Sequence, residues 1–163
     1  VQMSDCAAGI ITDSFFEDSF PNWNAIPNFP DWIPDWDPNE LDYLELELAD
    51  LYTVFGNHYP NQIVSSYNTA FDENQTFYFQ AMGGGDAREW SGKMYQHLEA
   101  AEAGAENFHT FVAPGDRHCI IIFDEFYTVE SNGVRLVDWI NDLIEGSDDV
   151  GSVYCEDCGD PSE

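Results

Sequence analysis

The chain has 163 residues, 44% of them hydrophobic and 15% aromatic, enough to enclose one core and too apolar for a disordered segment. Against 32 acidic residues stand only Arg88, Lys93, Arg117 and Arg135, a formal charge of -28. Such a surface repels nucleic acid and anionic membranes, so neither is expected as a partner; it points to a saline, halophilic setting, where a Debye length of roughly 3 Å at 1 M salt screens the self-repulsion, with an acidic secreted protein of ordinary habitat as the alternative.

No apolar run approaches the roughly 20 residues that a membrane span needs. The opening "VQMSDCAAGI" lacks the charged, then apolar, then small pattern of a signal peptide. It reads as a start inside a strand and its turn, as in a processed product or a piece of something longer. Residues 13 to 38 carry five prolines and three of the five tryptophans, which fits neither helical nor strand periodicity and predicts an irregular excursion within a single domain spanning 1–163. Trp23, Trp32 and Trp36 are expected to pin that excursion to the body. In "DWDPNELD", Asp35, Asp37 and Asn39 have the spacing of the first calcium-loop ligands, but Glu40 stands at the sixth position and Leu46 at the twelfth, where glycine and an acid are required. Pro38 followed by acids reads instead as a helix start.

That helix carries Leu41, Leu44, Leu48, Leu51 and Phe55 on one face, with Gly56 as its expected stop. A short strand follows at 63–68, then a short helix in "AFDENQTFYFQAM". The glycines at 83–85 lack the spacing of a phosphate cradle. A long helix over about 87–103 places Trp90, Met94, His97 and Ala101 on one face, with His97 expected at the boundary of the core. "NFHTFVA" at 107–113 alternates as a strand and turns through "PGDRH" into "CIIIFDEFY". A last helix, about 134–144, has the stripe Leu136, Trp139, Ile140 and Leu143 and ends at Gly146. This alternation predicts a mostly parallel α/β sheet with flanking helices. About three strands are visible, so the sheet looks unfinished.

Cys155 and Cys158 form a CxxC, compatible with a redox pair, half a zinc site or a local disulfide; with no second CxxC and no histidine beside it, disulfides in an oxidising compartment are preferred. In open parallel sheets the chemistry gathers beyond the carboxyl ends of the strands. Asp72 and His118 each follow a strand and are expected at the same edge, in the Asp-then-His order of an α/β-hydrolase triad. There the acid orients the imidazole, and the imidazole takes the nucleophile's proton. No GxSxG occurs: Ser91 lies in a helix pattern, and Ser65 and Ser66 lie in the strand before Asp72. His58 and His109 are not expected to act.

Four stretches taken together, "VQMSDCAAGIITDSFF", "FDENQ", "APGDRHCIII" and "FYTVESNGVRLVDWINDLIEG" through "VYCEDC", resemble in order the C-terminal half of the pectin acetylesterase and Notum-type carboxylesterases. The resemblance implies an α/β-hydrolase fold and a secreted enzyme without cofactor or metal. Its Ser-Asp-His triad would remove acyl groups from carbohydrate or similar esters. It makes Asp72 the acid and His118 the base, and it puts the serine and the oxyanion-hole glycines upstream, in a missing N-terminal part or on a second chain. Cys6 and Cys119 depart from the family pattern. Both belong near the active edge, so a Cys6–Cys119 disulfide is expected beside Cys155–Cys158. The competing expectation is a non-catalytic structural or binding subunit that keeps the hydrolase scaffold.

Overall fold

A computed structural model describes residues 1–24, 26–28, 30, 32–33, 48–147 and 150–161. Four parallel strands form its main sheet: β1 (Gln2–Asp5), β2 (Val64–Thr69), β3 (Phe108–Ala113) and β6 (Val153–Tyr154), in the order β1-β2-β3-β6. Gln2 pairs with Val64, Val64 with Phe108, and Phe111 with Val153. The chain is thus of the α/β class, with one more sheet strand than periodicity reveals. A separate antiparallel pair, β4 (Glu130–Ser131) and β5 (Val134–Arg135), turns through Asn132 and Gly133, both left-handed.

Side-chain alternation along the strands sorts the interior into two cores. Val64, Phe108 and Val112 point to one side, where helix α5 (Ala87–Gly104) covers them with Trp90, Met94, Leu98 and Ala101. Tyr67, Phe111 and Ala113 point to the other, under Leu136, Trp139 and Leu143 of helix α6 (Leu136–Glu145). Two residues expected at the start of that last helix instead make β5. Gly146 ends the helix as expected, at φ 69°, with its own N–H and that of Ser147 turned back onto the carbonyls of Leu143 and Asp142.

The excursion holds short helical pieces, α1 (Asp13–Asp18), α2 (Phe20–Trp23) and a 3₁₀ turn at Ile26–Asn28. Trp32 stacks on His58 at 3.9 Å and meets Tyr59 edge-on, which is the pinning role; Trp23 packs against Phe15. Trp36, Leu41, Leu44 and the calcium-like Asp35, Asp37 and Asn39 lie outside the described residues.

Helix α3 (Leu48–His58) corrects one expectation, because it runs through Gly56 rather than stopping there. A Cβ at Gly56 would stand 2.8 Å from Ala105 Cβ and from Asn107 Oδ1. That glycine lets α3 approach the end of α5. His97 also departs from its expected boundary position: it is 8% exposed within the core. No helix among the described residues is long and apolar enough to cross a membrane.

Candidate active site

Strand β2 is buried at all six positions although its sequence, VSSYNT, is largely polar. Each polar group therefore needs a partner, and the partners lead toward the strand's carboxyl end. Asn68 Nδ2 donates to Ser66 Oγ at 2.8 Å, and Asn68 Oδ1 accepts from Gln75 Nε2 at 3.3 Å. Gln75 Nε2 also donates to Asp72 Oδ2 at 3.0 Å.

Asp72 lies just past β2 and caps helix α4 (Glu73–Ala81). Its Oδ1 accepts the N–H groups of Asn74 at 3.1 Å and Gln75 at 2.9 Å, satisfying amides that a first helical turn leaves without partners. A cap needs only one carboxylate oxygen. Here the carboxylate is fully buried, and both oxygens also lie 2.9 Å from His118 Nδ1. Asp and His, 46 residues apart in sequence, thus meet at the edge where the strand order predicts them.

The loop bearing His118 continues the β2–β3 ladder instead of hanging free. Ala70 N–H donates to Ala113 O at 2.9 Å, Phe71 N–H to Gly115 O at 2.9 Å and Glu73 N–H to Asp116 O at 2.8 Å. Thr69 Oγ1 donates to Arg117 O at 2.9 Å. Beyond the histidine, the Asp5 carboxylate at the end of β1 accepts the N–H groups of Ile120 and Ile121, each at 3.1 Å. Three strand ends therefore hold one loop. Tyr67 lies below; burial first, then the negative charges of Asp5 and Asp72, push its hydroxyl above the ordinary range, so it stays neutral.

A carboxylate oxygen accepts, so this contact assigns the ring proton to Nδ1 and leaves the Nε2 lone pair on the side of the ring away from Asp72. The His118 side chain is 34% exposed. This arrangement can take a proton at Nε2 and hold the resulting imidazolium against a buried negative charge. Nε2 faces Cys6 Sγ at 3.6 Å.

Cys6 and Cys119 are joined in a disulfide with Cα atoms 4.8 Å apart, and Cys155 and Cys158 in another. The first ties the end of β1 to the histidine loop; the second backs that loop, since Gly115 N–H donates to Cys158 O at 3.1 Å. Cys6 Sγ, Cys119 Sγ and a His118 nitrogen all lie within 4.8 Å of one another. As a disulfide the sulfurs are not thiolates, the form that binds metal.

The other candidates stay apart. His58 lies under Trp32, and His109 sits within β3, where burial lowers its basicity against the opposing effect of Glu102. Ser91 is buried in α5, and Ser65 and Ser66 are buried in β2. A concavity between α4 and the start of α5, lined by Phe71, Phe77, Arg88 and Asp160, includes neither Asp72 nor His118. Sequence reasoning missed Asn68 and Gln75 as positioning groups. The signal for Gln75 was present in "DENQ", an N-cap acid followed three residues later by glutamine. No protein-family model, curated protein or solved structure matches the chain.

Proposed function

We propose that this chain supplies the acid and base of a secreted serine carboxylesterase or deacetylase acting on acylated carbohydrate or similar esters. The serine comes from an upstream segment or a second chain. The observation that carries the reading is the buried Asp72 carboxylate at 2.9 Å from His118 Nδ1, fixed by three further N–H donors. His118 Nε2 takes the serine proton as the hydroxyl oxygen attacks the acyl carbon, and Asp72 stabilises the imidazolium. Nε2–H then protonates the leaving alcohol, and the same cycle with water releases the acid.

The partner reading is supported by the sheet's own edge. Among the described residues β1 is the terminal strand, with one side of its backbone unpaired in the sheet order. Beside it Val1, Ile121, Tyr127 and Ile144 are exposed apolar residues lining a shallow groove with Met3 and Ile140. A further strand laid on this edge would come next to Asp5 and Cys6, within reach of His118. The same edge favours a second reading, a non-catalytic subunit whose copies assemble side by side.

A fluorophosphonate probe applied to native material separates the two. The enzyme reading expects a labelled serine on an associated segment or chain, with labelling lost in His118→Ala and turnover about 10⁴-fold lower in Asp72→Asn, because Asn cannot hold the Nδ1–H tautomer. Labelling indifferent to His118→Ala, or assemblies of identical unlabelled copies, overturns it.

A further inference from the structure

The imidazole of His118 already faces a potential nucleophile of this chain's own. We propose that Cys6, released from Cys119 by a dithiol reductant, is a thiol nucleophile for the Asp72–His118 pair. The chain would then carry a redox-gated acyl-transfer activity that does not need the serine. This rests on the acid–base reading of Asp72 and His118 and on nothing else in the esterase proposal.

Several observations converge on Cys6. Its sulfur lies 3.6 Å from His118 Nε2, and His118 Nδ1 lies 2.9 Å from Asp72, so nucleophile, base and orienting acid follow one another in contact. Cys6 comes directly after β1 in a left-handed conformation, φ 55°, held there by its N–H donating to Tyr67 O at 2.8 Å. A non-glycine residue in that region is strained, and such strain concentrates at functional sites. Cys6 stands at a bend at the carboxyl end of β1, followed by the small residues Ala7, Ala8 and Gly9, with α1 beginning only at Asp13. Finally, Cys119 adjoins the base itself, also left-handed at φ 58°, and both cysteines are partly exposed. By contrast, the sulfurs of the Cys155–Cys158 pair face the Tyr95 hydroxyl at 3.3 and 3.2 Å.

The chemistry balances as follows. The dithiol loses two electrons and two protons and closes to its own disulfide, while the Cys6–Cys119 bond becomes two thiols. The Cys6 proton passes to His118 Nε2, and the thiolate attacks the acyl carbon. The ester C–O bond breaks, the alkoxide takes the Nε2 proton and leaves as the alcohol, and the acyl group remains as a thioester on Cys6. His118 then deprotonates water, which displaces the thiolate and releases the acid. In an oxidising compartment the bond to Cys119 keeps the thiol masked.

The test uses the purified full chain, reduced with dithiothreitol, freed of reductant and kept in chelator. Iodoacetamide labelling is read cysteine by cysteine by mass spectrometry at pH 6.5. Cys6 is expected to react at least about tenfold faster than Cys155 and Cys158, since an imidazolium partner raises the thiolate fraction by about tenfold per unit of lowered pKa. His118→Asn should remove that advantage. With 4-nitrophenyl acetate, an acetyl group should be trapped on the Cys6 peptide, absent in Cys6→Ser and present without reductant in Cys119→Ser. Cys6 reacting no faster than Cys155 and Cys158, a rate indifferent to His118→Asn, or loss of the circular dichroism signal on reduction overturns the proposal. A fluorophosphonate-labelled partner together with an ordinary Cys6 leaves the esterase reading standing and removes only this one; a fast Cys6 with no labelled serine does the reverse.

Discussion

Asp72 and His97 illustrate opposite ways of placing a titratable group inside a protein. Asp72 is fully buried, and the N–H groups of Asn74 and Gln75, the Gln75 side-chain amide and His118 Nδ1 converge on its carboxylate, so its burial is matched by hydrogen bonds. His97 is 8% exposed, and among the described residues its Nε2 has no hydrogen-bond partner. Desolvation lowers its pKa from 6.5 to about 4, against a smaller opposing effect of the Asp50 carboxylate. Between those values the unfolded chain binds a proton that the folded chain refuses. Stability is therefore fully present above about pH 6.5 and falls as the pH drops toward 4, by at most about 3 kcal/mol from this one group. Urea unfolding at pH 7 and 4.5 in 1 M NaCl, where surface repulsion is screened, should show that loss in the wild type and a much smaller one in His97→Leu. Equal losses in the two proteins would assign the acid sensitivity to other groups.

At the scale of elements, the crossing of α3 and α5 shows where propensity misleads. Alanine is the better helix former by about 1 kcal/mol, so Gly56→Ala would stabilise a freely exposed helix. Here the added Cβ meets Ala105 Cβ and Asn107 Oδ1 at 2.8 Å. Asn107 Nδ2 donates to the carbonyls of Gly56, Tyr59 and Gln62, clasping the end of α3 to the entry of β2. Displacing it loosens two elements. Gly56→Ala should therefore cost about 1–3 kcal/mol, read as a lower urea midpoint at unchanged slope; a raised midpoint would return Gly56 to being a mere gap in helix propensity. The same crossing explains what the chain hides from a reader. Glycine as a helix stop and glycine as a close approach look alike until the partner helix is known. The long amphipathic helix at Ala87–Gly104 and the strand at Phe108–Ala113 are legible because their periods are strong. The β4–β5 hairpin turns through Asn132-Gly133 but is too short to stand out by period, so its second strand reads as the start of the last helix. Strand β6 is two residues long and carries no period at all. At the site, Asp72 and His118 are legible because each follows a strand; Asn68 and Gln75 act only once β2 and α4 are packed together.

The whole molecule carries a charge that its few cations cannot balance. Arg88–Asp160, Arg117–Glu125 and Arg135–Asp138 are ion pairs between half-exposed or more exposed side chains, each worth at most about 1 kcal/mol. With 32 acidic residues against four basic ones, most carboxylates have no cation to pair with, and a net charge this far from zero opposes the compact state through self-repulsion. Salt should relieve this within the range where the Debye length shrinks from roughly 10 Å at 0.1 M to roughly 3 Å at 1 M. The urea midpoint is therefore expected to climb steeply between about 0.05 and 0.5 M NaCl and to level off beyond, with KCl at equal ionic strength giving the same curve. Screening predicts that levelling. A surface adapted through ion exclusion and hydration would instead keep gaining stability into the molar range and would distinguish the two cations. A midpoint independent of salt would mean that the acidic groups are spaced widely enough to ignore one another, and the saline setting would lose its physical basis.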